Sequence, residues 1–440
     1  MNAMLRLRYC LGMSALVALF LVDLRTVVAQ EERPSAVAET GDAAEPEAIE
    51  FSDRVLYGRD PVDYSGAAAD DVVARLAMRG PIAIDRDRIS RSGYLQQVLE
   101  LLDVPVESQL LVFSKTARVQ PPVGPKSPRA IYFNDDVMVG WTPTSRELEI
   151  SAIDPIKGAI FYAVRQPRDD DASQTSAAEI RFERRDNCLS CHASRSTLEV
   201  PGLMLKSFVT DRVGRPLNGF SHISHDSSYE RRFGGWYVTG SPAGLVHRGN
   251  LFGQEAIARN RDEPGFQAVM KAPVPVENSD GYLADSSDVV AHLVFTHQME
   301  GINLITRVGM EARLNVRSDA EDRLIRYFVF ADEPPLPVPV DRTASAFAAV
   351  FESNASKDGQ GRSLRQLDLK TRLLKHRLSW LVGHRSFAQL PDDCRGRLVR
   401  RFKDGLRTGL PEDEFGHLTE QERLQTLAVA EATIPFWPQN

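Results

Sequence analysis

AIYFNDDVMVGWTPTSRELEISAIDPIKGAIFYAV, residues 130–164, decides the fold class. Ala130–Phe133, Val137–Trp141, Leu148–Ile153 and Ala159–Val164 are short runs rich in β-branched and aromatic residues. Turn chemistry separates them: Asn134-Asp135-Asp136, then Pro143, then Pro155-Ile156-Lys157-Gly158. Such runs bounded by Asn, Asp, Pro and Gly read as strands. The connections are too short for crossovers, so antiparallel pairing is expected. Leu110–Lys115 reads as a further strand upstream.

Outward from this block the pattern changes. Asp70–Met78 and Gly93–Leu102 have helical spacing; in the second, Leu95, Val98, Leu99 and Leu102 fall on one face. Downstream, Arg168–Ala178 is a polar loop, and Ile180–Phe182, Leu205–Val209 and Gly235–Thr239 are short strand candidates. Ser286–Arg313 reads as a long amphipathic helix and Ala320–Phe330 as another. Pro334–Val340 (PPLPVPV) lies in a Pro-rich linker, 334–342, stiff enough to mark a domain boundary. Beyond it Ala344–Phe351, Thr371–Val382, Asp392–Leu406 and Thr419–Ala432 have helical patterns. The expected class is α+β. A mixed domain over 51–333, β-rich in its N-terminal half, precedes a mainly helical region over 343–440.

The N-terminus follows a different logic. Arg6 and Arg8 precede the apolar run Cys10–Val22, and Val27-Val28-Ala29 offers small residues for cleavage. That order is the order of a secretory signal peptide, so residues 1–29 are expected to be removed. The apolar run is short against the roughly 20 residues that span a bilayer, which disfavours the alternative of a retained anchor. Residues 30–50 are acidic and rich in Ala and Pro, and read as a disordered lead-in. The chain of 440 residues carries a net charge of −7. Losing three Arg and one Asp with residues 1–29 would take that charge from −7 to −9. The balance argues against nucleic-acid binding and admits a basic partner protein.

Four cysteines are too few for a disulfide scaffold. Cys10 would leave with the signal, and Cys394 in Pro391-Asp-Asp-Cys-Arg reads as a free thiol. The remaining two stand in Cys188-Leu189-Ser190-Cys191-His192, the C-x-x-C-H pattern of covalent haem attachment. Two thiols on one helical turn can each reach a vinyl group of one porphyrin. The histidine that follows lies beneath the ring as the proximal iron ligand. A thioredoxin-like pair needs no histidine, and a zinc site wants further ligands at similar spacing. One motif implies one haem c, with Cys188, Cys191 and His192 as its attachment and ligand residues.

The distal iron ligand is open to several residues. His297 and His225 rank first, then Met299 and His247, with His222, His292 and Met204 also in range. His297 and Met299 are two apart on one helix and cannot both face one iron. His297, Gly301 and Leu304 share a stripe that could face the macrocycle. Arg184, Arg185 and Arg195 flank the motif as propionate partners or as solvated charge. Trp236, in Gly234-Gly235-Trp236-Tyr237, packs on the ring or in the core.

Ala130-Ile-Tyr-Phe-Asn-Asp-Asp136, Asn187-Cys-Leu-Ser-Cys-His-Ala193, Gly234-Gly-Trp-Tyr-Val-Thr-Gly240 and Gly359-Gln-Gly-Arg-Ser-Leu364 resemble segments of large exported bacterial proteins containing a monohaem cytochrome c domain. The resemblance spans most of residues 90–435. It implies one covalent haem and electron transfer, and it names no substrate. The expected function is therefore one-electron transfer outside the cytoplasm to a redox partner protein. The alternative is a haem-dependent oxidoreductase or sensor with an exchangeable iron site, with Asp135, Asp136 and His225 as pocket groups.

Overall fold

The computed structural model describes residues 56–437 apart from 116–122, 168–177, 218–219 and, between 255 and 278, all but 258, 274 and 276. The expected signal, residues 1–29, and the lead-in, residues 30–50, lie outside the described residues. From Leu56 on, the chain is β-rich in its first half and helical in its C-terminal part.

The 130–164 block forms the centre of a seven-stranded antiparallel sheet. Its strands are β1 (Leu110–Val112), β2 (Arg129–Phe133), β3 (Val137–Trp141), β4 (Glu147–Asp154), β5 (Gly158–Arg165), β6 (Glu183–Arg184) and β7 (Trp236–Tyr237). They pair in the order β7-β1-β2-β3-β4-β5-β6, with Ile150 opposite both Val139 and Tyr162. Alternation divides the side chains between two faces. Ala130, Tyr132, Val137, Val139, Leu148, Ile150, Ile160 and Tyr162 face one core with Leu95, Val98 and Leu99 of a helix at Leu95–Leu101. Phe133, Met138, Ile153, Ala159 and Phe161 face the other, with the long helix. The Pro155–Gly158 turn joins β4 to β5 with Gly158 at φ +76°. A Cβ there would overlap the Pro201 carbonyl oxygen and lie 2.7 Å from Thr306 Cγ2. Only glycine fits that approach. Ile82–Ile84 pairs with Ala178–Ile180, and Lys206–Ser207 with Ser221–His222, as separate two-stranded ribbons.

Four of the helices position the rest: α1 (Leu189–His192), α2 (Val289–Leu314), α3 (Ala320–Phe328) and α4 (Asp392–Thr408). Asp288 caps α2 by accepting from the Val290 and Ala291 amides, and Asn315 ends it in the left-handed region. The expected amphipathic helix is instead buried nearly all round. A helix packed on every side is an interior one. Its polar residues Gln298, Glu300 and Asn303 are buried along with the apolar ones, and each reaches a neighbour.

Two expectations give way in the C-terminal half. Residues 371–379 are not helical, because their backbone groups are used elsewhere. The Asp368 carboxylate accepts from the Thr371 amide at 2.8 Å, Leu336 donates to the Thr371 carbonyl, and Ser379 donates to Phe328. The Pro-rich segment 334–342 is no gap in the core. Leu336 and Val340 are buried, and one cluster of apolar side chains draws on both sides of it. Val340 donates to the Leu369 carbonyl at 2.8 Å, so the stiff segment runs as a packed strap. The described residues on both sides of the strap belong to one compact unit.

Candidate functional site

The motif sits on a short helical turn below the sheet. Asp186–Cys188 is a 3-10 turn that runs directly into α1. This geometry puts Cys188, Cys191 and His192 on one turn, as the spacing requires. Neither thiol is in a disulfide; Cys191 is exposed and Cys188 half-buried. Burial and then Glu149 push the Cys188 thiol above its ordinary pKa.

His192 is held from its other side. Its Nδ1 lies 3.0 Å from the Gly202 carbonyl oxygen. A carbonyl only accepts, so Nδ1 carries the proton and Nε2 keeps a lone pair. Burial lowers the imidazole pKa, which keeps the ring neutral near pH 7. Phe161 of β5 packs on the ring at 4.7 Å between centroids. Gly202 is itself fixed: Asn303 of α2 accepts from the Leu203 amide at 3.0 Å and donates to the Leu203 carbonyl at 2.6 Å. A Cβ on Gly202 would overlap the Asn303 Oδ1, so glycine is required beneath this clamp. Two free thiols beside a neutral imidazole with one nitrogen oriented and the other open match the donors that a covalently attached haem needs.

The candidate distal ligands lie in other surroundings. His225 and His297 are buried, with their Nδ1 atoms 2.6 Å apart and their rings 12° from coplanar. Tyr327 stacks on His225 at 3.9 Å and on His297 at 5.0 Å, and Phe330 stacks on both. His297 Nε2 lies 2.7 Å from Ser379 Oγ, so both of its nitrogens have partners. Burial depresses His225 far below the ordinary imidazole value and takes His297 to about 3. The stripe expected to face a macrocycle thus meets protein: a Cβ on Gly301 would touch Leu381, and Leu304 is buried. His247 bonds Ser241 at 3.0 Å, and His292 bonds the Tyr237 carbonyl at 2.8 Å. Met299 is buried within α2. His222, on its ribbon, reaches Glu300 at 3.4 Å, and Met204 is half-buried.

Other expected site residues turn out to hold the fold. Asp135 pairs with Arg365 and accepts from the Trp380 indole at 3.2 Å, and Asp136 lies 3.2 Å from His384. These contacts tie the β2–β3 turn to the C-terminal region and replace the expected pocket. Arg184 pairs with Asp186 at 2.7 Å, and Arg185 with Glu147 and Glu183. Arg195 is exposed. Trp236 is buried, its indole donating to the Lys206 carbonyl at 3.1 Å. Cys394 is buried on α4, its thiol pushed up to about 12 by burial and Glu321.

Sequence reading misses Gly202, Asn303 and Phe161, the three residues that orient His192. Gly202 follows Pro201 ten residues beyond His192, and that pair is the one local signal of a tight approach. Among the described residues no group of three or more His, Cys, Asp or Glu forms a metal cluster, and no helix is long and apolar enough to cross a membrane. Comparisons with family models, curated proteins and solved structures find no match to this chain.

Proposed function

We propose that the chain is an exported c-type cytochrome carrying one haem on Cys188 and Cys191, with His192 as proximal ligand, and that it transfers single electrons. The observation that carries this reading is the Nδ1–H bond from His192 to Gly202 beside two unpaired thiols. Cys188 and Cys191 would hold the haem through one thioether each, and His192 would ligate its iron. Haem iron, once bound, supplies a ferric/ferrous couple at the potential its ligands set. The chain's part is to fix the imidazole. Gly202 takes the Nδ1 proton in a hydrogen bond, Asn303 holds Gly202, and Phe161 limits ring rotation.

The N-terminal pattern Arg6–Ala29 supports export, which places attachment outside the cytoplasm. The test is a pyridine haemochrome spectrum and a haem stain after denaturing electrophoresis of exported protein. One covalent haem per chain is expected; a protein without it overturns the reading. Carbon monoxide binding by the reduced protein would shift the assignment to the oxidoreductase or sensor.

A further inference from the structure

Among the described residues two cations act on the His192 ring, Lys206 and Arg129. They differ in what balances them. Arg129 lies 3.1 Å from the Glu149 carboxylate. Arg184 and Arg185, beside the motif, have Asp186, Glu147 and Glu183. Lys206 has no carboxylate partner among the described residues, and its ammonium sits 4.1 Å over the Phe220 ring. A ring face attracts a cation through its quadrupole and leaves the net charge in place, whereas an ion pair cancels it at a distance.

The backbone fixes where that charge stands. Beyond Gly202, Leu203 and Leu205 are buried while Met204 and Lys206 are half-buried, so these two alternate away from the core. The Ile223 amide donates to the Leu205 carbonyl at 3.0 Å, and the Trp236 indole to the Lys206 carbonyl at 3.1 Å. Lys206 pairs in register with His222. His222 lies 3.4 Å from the buried Glu300 of α2, which Arg323 of α3 approaches at 3.5 Å. Asn303, one turn along α2, holds Leu203 next to Gly202. One helix thus fixes both the carbonyl that orients His192 and the ribbon that carries Lys206. Burial lowers the Lys206 pKa, with the Cys191 thiol acting the other way, so the ammonium is partly out of water and within electrostatic reach of the motif. A charge so placed is screened less by salt than an exposed one.

We propose that Lys206 raises the reduction potential of the haem, its uncompensated charge beside Cys191 and His192 favouring ferrous over ferric iron. This rests on the haem reading above and adds the residue that tunes the couple. Ferric iron becomes ferrous by taking one electron from an external donor, with no bond made or broken. The step lowers the charge of the iron site by one, so a nearby cation stabilises its product.

The test is a potentiometric titration of haem-loaded protein with dithionite and ferricyanide, followed by absorption, after a haemochrome has verified the haem. K206M should shift the ferric/ferrous equilibrium toward ferric by about threefold or more, the scale of one unit charge at this range. Threefold is ~30 mV at 59 mV per tenfold for one electron. K206E should shift it further in the same direction, and K206R should keep the parent midpoint. R129Q/E149Q removes a cation together with its carboxylate and should leave the midpoint in place. Circular dichroism and haem absorption of each variant should match the parent. A K206M midpoint equal to the parent's overturns the proposal, as does an R129Q/E149Q shift as large as that of K206M. A changed absorption spectrum in K206M overturns it too, because Lys206 would then act on iron ligation and not by charge. A chain without covalent haem overturns the haem reading itself, whereas a loaded chain whose midpoint ignores Lys206 overturns this inference alone.

Discussion

His192 and the His225–His297 pair are built in opposite ways. His192 gives one nitrogen to a backbone carbonyl and keeps the other open beside two thiols. His297 spends both nitrogens inside the protein, on His225 and Ser379, between the rings of Tyr327 and Phe330. A histidine becomes a metal ligand when one nitrogen is oriented and the other is left for the metal; burial alone makes a packing group.

The largest effect that would break this contrast concerns attachment. C188A/C191A should abolish covalent haem altogether, read as loss of the haem stain at unchanged expression. H297A should leave both the stain and the absorption spectrum of the bound haem as they are. A shifted spectrum in H297A would make the pair part of the haem site and erase the distinction.

The second effect sharpens how His192 is held. N303L would leave the Leu203 amide and carbonyl buried without partners, at a cost of about 3 kcal/mol. A urea midpoint lowered to match is expected, together with a weakened orientation of His192, visible as a shifted haem absorption. A smaller effect should follow at the turn below it. G158A forces a side chain into φ +76° against Pro201, costing about 2 kcal/mol in the same assay. No loss in either variant would mean that the Pro201–Leu203 segment is not the clamp.

Legibility follows the range of the interaction. The sheet could be read because its strands alternate and its turns are local: Val137–Trp141 is found with the expected ends. Cys188, Cys191 and His192 lie within five residues, so the short turn that carries all three is a local feature of the sequence. Residues 371–379 misled, since Asp368 and the distant Phe328 and Leu336 take backbone groups that a helix would have used. Asp135 and Asp136 resembled pocket acids, but their partners lie more than 200 residues away at Arg365 and His384. Asn303 was invisible for the same reason: its partner Leu203 is 100 residues upstream. The Pro-rich strap shows the limit of composition, which gives stiffness and says nothing of what the segment packs against.

The last effect is the acid response of the buried histidines, and it tests the packing half of the contrast alone. Burial depresses His297 and His292 from 6.5 to about 3. Below about pH 6.5 the unfolded chain binds protons that the folded chain refuses. Stability should therefore be fully present above pH 6.5 and fall as pH drops toward 3. Each such histidine contributes up to ~1.4 kcal/mol per pH unit. Urea unfolding at pH 7 and pH 5 measures the slope. In H225F/H297F the slope should be shallower, because the two groups that take up protons only on unfolding are gone. A slope unchanged in that variant would mean that the pair is already protonated in the fold, and its shared Nδ1–H bond would not exist as drawn.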